Sequence, residues 1–256
     1  MKLHVGLMAG LAAIVIGGCA SKPQAPVSLA NDATARGTRI GVGMTALPKQ
    51  DVALPGVSCL LCLATASIAN SSLIEHAKTL PYEDLAKIKD EVAAFLRKRG
   101  SVVSLIEEPL DTKSLSSFGS NGPNIARKDF TPLREKYQVD KLLVVDIDAI
   151  GFIRSYSAYI PTSDPKGYLH GTGYLVDLKN NTYDWYLPVT VTKSSDGKWD
   201  EPPTFPGLTN AYFQTLAIGK DEFLRPFVEL DAPASPAAVA IPPAPTASAE
   251  IRRTQP

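Results

Sequence analysis

The stretch KLLVVDIDAIGF, residues 141–152, carries the strongest strand pattern in the chain. Leu143, Val145 and Ile147 fall on one face, and Asp146 and Asp148 fall on the other, which predicts a strand with one apolar face and one solvated face. A short helix, residues 131–139, precedes it, with Thr131 as its N-cap. A strand in this position, following directly on a helix, indicates an α/β fold.

Helix and strand patterns continue along the chain on both sides of this strand. The clearest helix has an apolar stripe, acidic residues in its first turn and a glycine at its end. Period-two alternation predicts the strands. The predicted strands are residues 38–44, 101–106, 153–160, 168–178 and 183–191, and the other predicted helices are residues 82–100 and 209–230, the second with breaks expected at Gly219 and Pro226. This order predicts a single domain in which helices pack against a mixed β-sheet.

The N-terminus has the pattern of a bacterial export signal. Lys2 precedes an apolar run, residues 5–16, which is shorter than the ~20 residues needed to span a bilayer. The sequence GGC that follows resembles the lipobox of bacterial lipoproteins. That resemblance implies a signal peptide, residues 1–18, and a lipidated Cys19 at the start of the mature chain. Since Ala20 follows and not Asp, it also implies the periplasmic side of the outer membrane. An ordinary secretory signal with an incidental cysteine is the alternative.

Composition divides the rest of the chain into three parts. Residues 19–37 are small and polar, which predicts a tether between the lipid and a domain. Residues 38–230 have the apolar content of a folded α/β domain. Residues 231–256 are rich in Pro and Ala and lack aromatics, so they predict a disordered tail.

Cys59 and Cys62 lie in PGVSCLLCLA, residues 55–64. In an oxidising compartment such a pair is expected to form a disulfide. Because this disulfide would close only a short loop, it would constrain the chain locally and contribute little to the stability of the whole domain. A redox-active pair is the main alternative, and free thiols or a metal site are a third. His76 and His170 are isolated in the sequence, so we expect neither a metal nor another cofactor.

Charge and aromatic content bear on binding partners. Lys and Arg number 26, as do Asp and Glu, and this balance argues against nucleic-acid binding. Tyrosine at strand positions offers rigid area and a hydroxyl group to a glycan or a protein. We therefore consider a binding face, although ordinary core packing explains the same residues. Its members are Tyr156, Tyr159, Tyr174 and Trp185.

Two carboxylates in the central strand suggest the only catalytic arrangement. Asp146 and Asp148 would share a face ~7 Å apart, as paired carboxylates in hydrolases do. His170 lies on a predicted neighbouring strand. A solvated sheet face carrying acids explains the same pattern without catalysis.

Two segments together resemble a known family. The helix and strand LREKYQVDKLLVV, residues 133–145, are followed by GTGYLVDLKNNTYDWYLPV, residues 171–189, and both are similar to periplasmic lipoproteins with the TolB amino-terminal and curli-export lipoprotein type of fold. The hairpin residues 175–178 and Trp185 carry most of the likeness. The segment around Cys59 and residues 198–213 have no counterpart in that pattern.

This resemblance implies a binding or assembly platform and not a catalyst. The sequence therefore predicts a non-enzymatic outer-membrane lipoprotein, attached to the membrane through Cys19, with an envelope protein or peptidoglycan as its partner. A periplasmic thiol–disulfide protein and a carboxylate-dependent hydrolase are the alternatives.

Overall fold

A computed structural model describes residues 23–120 and 122–231. The predicted signal peptide, Cys19 and residues 232–256 of the predicted tail lie outside these residues. Within them no helix is long and apolar enough to cross a membrane. The strands are β1 (Arg39–Met44), β2 (Asp51–Ala53), β3 (Val102–Leu105), β4 (Lys141–Ile153), β5 (Tyr156–Ser157), β6 (Ile160–Pro161), β7 (Lys166–Asp177) and β8 (Thr182–Ser194). The helices are α1 (Leu60–Ala69), α2 (Ser71–Thr79), α3 (Lys87–Lys98), α4 (Leu133–Tyr137) and α5 (Pro206–Asp231).

The sheet is mixed and has helices packed against it, which confirms the predicted fold class. Its strand order is β3-β1-β4-β7-β8, with β2 pairing beside the far half of β4. β1 pairs in parallel with β3 and β4, whereas β4, β7 and β8 are antiparallel. The long hairpin of β7 and β8 follows from the turn at residues 178–181.

Helices α2, α3 and α5 cover one face of the sheet. Leu143, Val145 and Ile147 of β4 point into this core together with Ile88 and Phe223 from the helices. The alternating residues predicted for this strand therefore face the helices, as the period-two pattern requires.

The second face of the sheet is only partly solvated, contrary to the sequence-based expectation. Leu142 and Val144 are fully buried on this side, under Leu110 and Phe130 from the segment 106–132. β4 is therefore buried on both faces at its first half. The face becomes solvated from Asp146 onward, where the covering segment ends.

The predicted breaks in the last helix do not occur, since α5 runs through Gly219 and Pro226. A Cβ on Gly219 would lie 2.8 Å from Leu169, so glycine here lets the helix approach the sheet closely. Phe223 and Phe227 on either side of Pro226 are fully buried. Their packing offsets the one hydrogen bond that proline removes.

Residues 23–37 pack on the domain, although the sequence predicts a tether there. Val27 exchanges backbone hydrogen bonds with Tyr186 of edge strand β8, at 2.9 and 3.0 Å. Ala33 and Thr34 are buried in a 3₁₀ turn. The small side chains of this segment bury little apolar surface, so the backbone hydrogen bonds of Val27 help to hold the segment on the domain. The strand predicted at residues 153–160 is instead the small hairpin of β5 and β6.

Asn181 holds segment 106–132, the covering segment of the second face, against the sheet. It lies in the β7–β8 turn, fully buried, with φ of 57°. Its side chain accepts a hydrogen bond from Phe130 N at 2.9 Å and donates to the carbonyls of Ala126 and Lys128 at 3.0 and 2.9 Å. One side chain thus satisfies three buried backbone groups of a segment that has little secondary structure.

We expect Asn181→Gly to destabilise the protein by about 2–4 kcal/mol, because glycine keeps the positive φ but leaves these backbone groups without partners. Urea unfolding measures the change. The exposed neighbour provides the control: Asn180→Ala should change stability by about 0.5 kcal/mol or less. An equal effect of both variants would contradict the role assigned to Asn181.

Candidate functional site

The four aromatic residues predicted to form a binding face do not share a surface. Tyr156, Tyr174 and Trp185 are only 6%, 6% and 2% exposed, and Tyr159 alone is mostly exposed, at 62%. Trp185 packs edge-on against Phe227 on the helical side of the sheet. Tyr174 lies on the opposite side, in the cluster under the covering segment. The aromatic pattern therefore reflects core packing, the alternative interpretation of these residues.

The structure does bring Asp146, Asp148 and His170 together. A register shift between Ile147 and Ala149 leaves Asp148 as an extra residue in β4. Its Oδ2 lies 3.4 Å from Nδ1 of His170. The hydroxyl of Thr45 donates to Oδ1 of Asp146 at 2.7 Å. Burial raises the pKa of Asp146, and the nearby charge of Asp148 raises it further.

This acidic cluster lacks the surroundings of a catalytic site. The side chains of Asp148 and His170 are about 40% exposed on an open sheet face. Among the described residues, no group of three or more His, Cys, Asp or Glu side chains is placed to hold a metal ion. The arrangement is that of a carboxylate beside an imidazole on a solvated sheet face, which is the simpler of the two interpretations given above.

A groove of about 530 Å³ lies between α4 and the β7–β8 turn. Arg39, Arg134 and Lys179 line it, which would suit an anion. Asp140, however, accepts hydrogen bonds from Arg39 at 2.7 Å and from Arg134 at 3.4 Å. Asp140 offsets one of these two positive charges and Glu135 also lines the groove, so little net positive charge remains for an anion.

Cys59 and Cys62 form a disulfide at the start of α1. Cys59 is exposed and is the N-cap of this helix, and Cys62 N lies 3.0 Å from its Sγ. Redox-active pairs also sit at helix N-termini. The sequence lacks any charged residue between Asp51 and Glu75, so no cation in this segment can stabilise a thiolate.

Helix α1 exposes apolar side chains to solvent. Only Cys62 and Ala66 are buried, whereas Leu60, Leu61 and Ile68 are 87%, 77% and 75% exposed. At 3.6 residues per turn, these three exposed residues fall within roughly 100° of arc. A surface helix of a globular protein normally presents polar residues there.

The hairpin of β5 and β6 extends this exposed surface. Tyr159 and Ile160 at its tip are 62% and 55% exposed. The hairpin lies against the segment that leads into α1, since Ala158 N donates to Gly56 O at 3.1 Å. A Cβ on Gly56 would overlap the carbonyl of Tyr156, so only glycine allows this approach. We call the combined surface the apolar end surface; it comprises Leu60, Leu61, Leu63, Ile68, Tyr159 and Ile160.

Sequence reasoning did not identify this surface, except for Tyr159. The available signal was the uncharged run of residues 52–74. Such a run is equally typical of a buried segment, so its exposure follows only from the tertiary structure.

Comparison with known proteins identifies no family. No family model matches the sequence, and no curated protein is similar enough to count as a relative. Solved structures, among them the following three, are similar at a low level. The PelC dodecamer from Paraburkholderia phytofirmans is 14% identical with a TM-score of 0.32, and the match covers 79% of this chain and 94% of that one. A protein from Xanthomonas campestris is 13% identical with a TM-score of 0.33, and the match covers 76% of this chain and 95% of that one. A lipoprotein from Neisseria meningitidis is 14% identical with a TM-score of 0.25, and the match covers 71% of this chain and 99% of that one.

We expect removal of the disulfide to cost ~2 kcal/mol or less, because closing so short a loop restricts the unfolded chain little. The variant is Cys59→Ser with Cys62→Ala, in which the introduced serine hydroxyl can still cap α1. Urea unfolding of this variant should agree with that of the parent protein in reductant. A loss well above this value would mean that the disulfide holds more than the start of α1.

Asp146→Asn should flatten the dependence of stability on pH. The pKa of Asp146 is raised above 3.8 in the folded state, so the folded protein holds its proton more tightly than the unfolded chain. Stability from this group is therefore present below pH 3.8 and lost as pH rises through the raised pKa. Asparagine keeps the acceptor for Thr45 without the charge. Unfolding free energies of parent and variant across this pH range measure the effect, and parallel curves would contradict it.

Proposed function

We propose that the protein is a lipid-anchored, non-enzymatic binding or assembly protein of the bacterial cell envelope. Acyl chains on Cys19 hold it on the periplasmic side of the outer membrane, and the apolar end surface is its binding surface. The observation that carries this proposal is the exposure of that surface.

Exposed apolar side chains that lie next to one another mark interaction sites in folded proteins, whereas scattered ones need no explanation. The apolar end surface is of the first kind. Leu60, Leu61 and Ile68 lie on one side of a single helix, and the β5–β6 hairpin contacts the residues that flank this helix. Their exposure contributes nothing to folding, since apolar side chains stabilise the folded state only when they leave water.

The short distance in sequence between Cys19 and the folded domain also supports an anchored protein. Cys19 lies eight residues before Val27. Since Val27 is already paired with β8, little chain separates the domain from the predicted lipid. Such a protein remains close to the membrane surface, where envelope partners are found.

A thiol–disulfide protein is the second candidate, because exposed Cys59 caps α1 as the reactive cysteine of a redox pair would. We prefer a structural disulfide, since the segment that contains the pair is apolar and uncharged. The carboxylate-dependent hydrolase is the weakest candidate, because Asp148 and His170 lie on an open face.

Intact mass of the membrane-extracted protein tests the anchor. We expect a chain that begins at Cys19 and carries acyl groups, and we expect Cys19→Ala to be lost from the membrane fraction. Cys59→Ser with Cys62→Ala is the matched control and should remain in that fraction. An unacylated parent chain released in soluble form would overturn the proposed anchor.

The same membrane-extracted protein distinguishes a structural disulfide from a redox-active one. Alkylation before and after reduction should find Cys59 and Cys62 fully oxidised if the disulfide is structural. Cys62→Ser should then trap no other protein. A mixed disulfide between Cys59 of this variant and a client protein would put the thiol–disulfide function first.

A further inference from the structure

We infer that residues 237–241 of this chain, AAVAI, add to the outer edge of β3 as a further parallel strand of the sheet. These residues lie outside the described part of the structure, in the tail that the sequence predicts to be disordered. The inference goes beyond the proposed function, since it depends neither on Cys19 nor on the apolar end surface. It names the occupant of a sheet edge that the described residues leave unpaired.

The outer edge of β3 carries backbone groups that are available for pairing. β3 is a terminal strand of the sheet, and among the described residues only β1 pairs with it. Val102 N donates to Thr38 O at 2.9 Å, so Val102 directs its N–H toward β1. Alternate residues of a strand direct these groups to opposite sides. The N–H and C=O groups of Val103 and Leu105 therefore point away from the sheet.

This edge lacks the residues that commonly protect an edge strand. Proline or a charged side chain on an edge prevents pairing with another strand. Residues 101–106, SVVSLI, contain neither. The edge strand on the other side of the sheet, β8, contains Pro188 and Lys193, and Val27 covers part of it. The contrast favours a pairing partner for β3.

The hydrophobic core is incompletely covered at the same edge. Phe95 of α3 and Val103 and Leu105 of β3 pack against the main core but remain partly exposed. Val102, on the other face of β3, is 56% exposed. A strand added at this edge removes apolar surface from water on the helical face, and this burial favours its binding.

The chain leaves the described domain close to the start of β3. α5 ends at Asp231, and the side chain of Arg99, at the end of α3, donates a hydrogen bond to Leu230 O. Two residues separate Arg99 from the first residue of β3. The chain from Asp231 to Ala237 spans up to roughly 20 Å when extended. The segment that follows α5 can therefore pass the end of α3 and reach the edge.

A parallel strand at this edge agrees with the handedness of the fold. β8 is parallel to β1 and β4, because β7 is antiparallel to both of its neighbours. The connection from β1 to β3 crosses the helical face through α2 and α3. A connection from β8 through α5 to the new strand crosses the same face in the same direction. Both crossovers then have the same hand, as the strong preference for right-handed connections between parallel strands requires.

Residues 237–241 have the length and composition that this edge requires. Pro236 and Pro242 flank them and lack N–H groups, which limits the strand to five residues, against four in β3. Val239 and Ile241 are β-branched, which favours a strand. They are two residues apart and so share one face, where they can cover the partly exposed side chains of the β3 edge. Because the run belongs to the same chain, its effective concentration at this edge is on the order of mM.

Hydrogen exchange measured by mass spectrometry tests this inference on the full-length, membrane-extracted protein. Ala238→Pro with Val239→Pro removes two successive N–H groups of the run, so it blocks pairing in either alternation. Ala247→Pro with Ser248→Pro is the matched control, since it places two prolines in the tail outside the run. All four positions follow Asp231, so the domain keeps every residue that packs in its core.

In the parent protein, we expect slow exchange in the peptide that covers residues 102–105 and in the peptide that covers residues 237–241. In the Ala238→Pro, Val239→Pro variant, the amides of Val103 and Leu105 should exchange at least about tenfold faster, because they lose their hydrogen-bond partners. The control variant should match the parent, and exchange in β4 should be the same in all three proteins.

Equal exchange of the β3 peptide in the parent and in the Ala238→Pro, Val239→Pro variant, whether fast or slow, would overturn the inference, because residues 237–241 would then not cover the edge. Protection that is lost when the protein is diluted would also overturn it, since it would indicate a strand from a second copy. Neither readout depends on acyl groups at Cys19, so the result is independent of the proposed anchor.

Discussion

The burial of β4 on both faces is the constraint on which the rest of the structure depends. Residues 142–145 have no solvent-accessible side, so the chain must supply two covers for one strand. Helices provide the first cover, where their apolar stripes match the alternation of β4. The segment 106–132 and α4 provide the second cover with little regular structure. Its backbone groups need other partners, and buried Asn181 satisfies three of them.

The second cover ends at Asp146, and this limit divides the molecule into two halves. Toward the β7–β8 turn, both sides of the sheet are packed and the chain is fastened by polar contacts. Toward the β5–β6 hairpin, the sheet face is open and carries Asp148 and His170. The apolar end surface lies at this less covered end. The second layer of the fold therefore covers one end of the sheet, and the exposed groups lie at the other.

Sequence patterns predicted the regular elements where burial and periodicity agree. The alternation of Leu143, Val145 and Ile147 gives the face of β4 that meets the helices, and the residues after Leu175 give the β7–β8 turn. The patterns failed where the tertiary structure overrides local preference. Gly219 and Pro226 do not break α5, because packing against the sheet offsets their cost. Tyr174 and Trp185 satisfied the pattern of a binding face but are buried on opposite sides of the sheet.

The sequence by itself determined the class of fold, the strand alternation, and the cysteine pair that closes the first turn of α1. These features are local, because they depend on residues a few positions apart. Only the tertiary structure decided which apolar residues face water. The run of residues 52–74 is typical of a core segment in sequence, yet Leu60, Leu61 and Ile68 are exposed because the small residues Cys62 and Ala66 occupy the inner side of α1. Burial depends on what the rest of the chain places against a helix, and no local pattern contains that information.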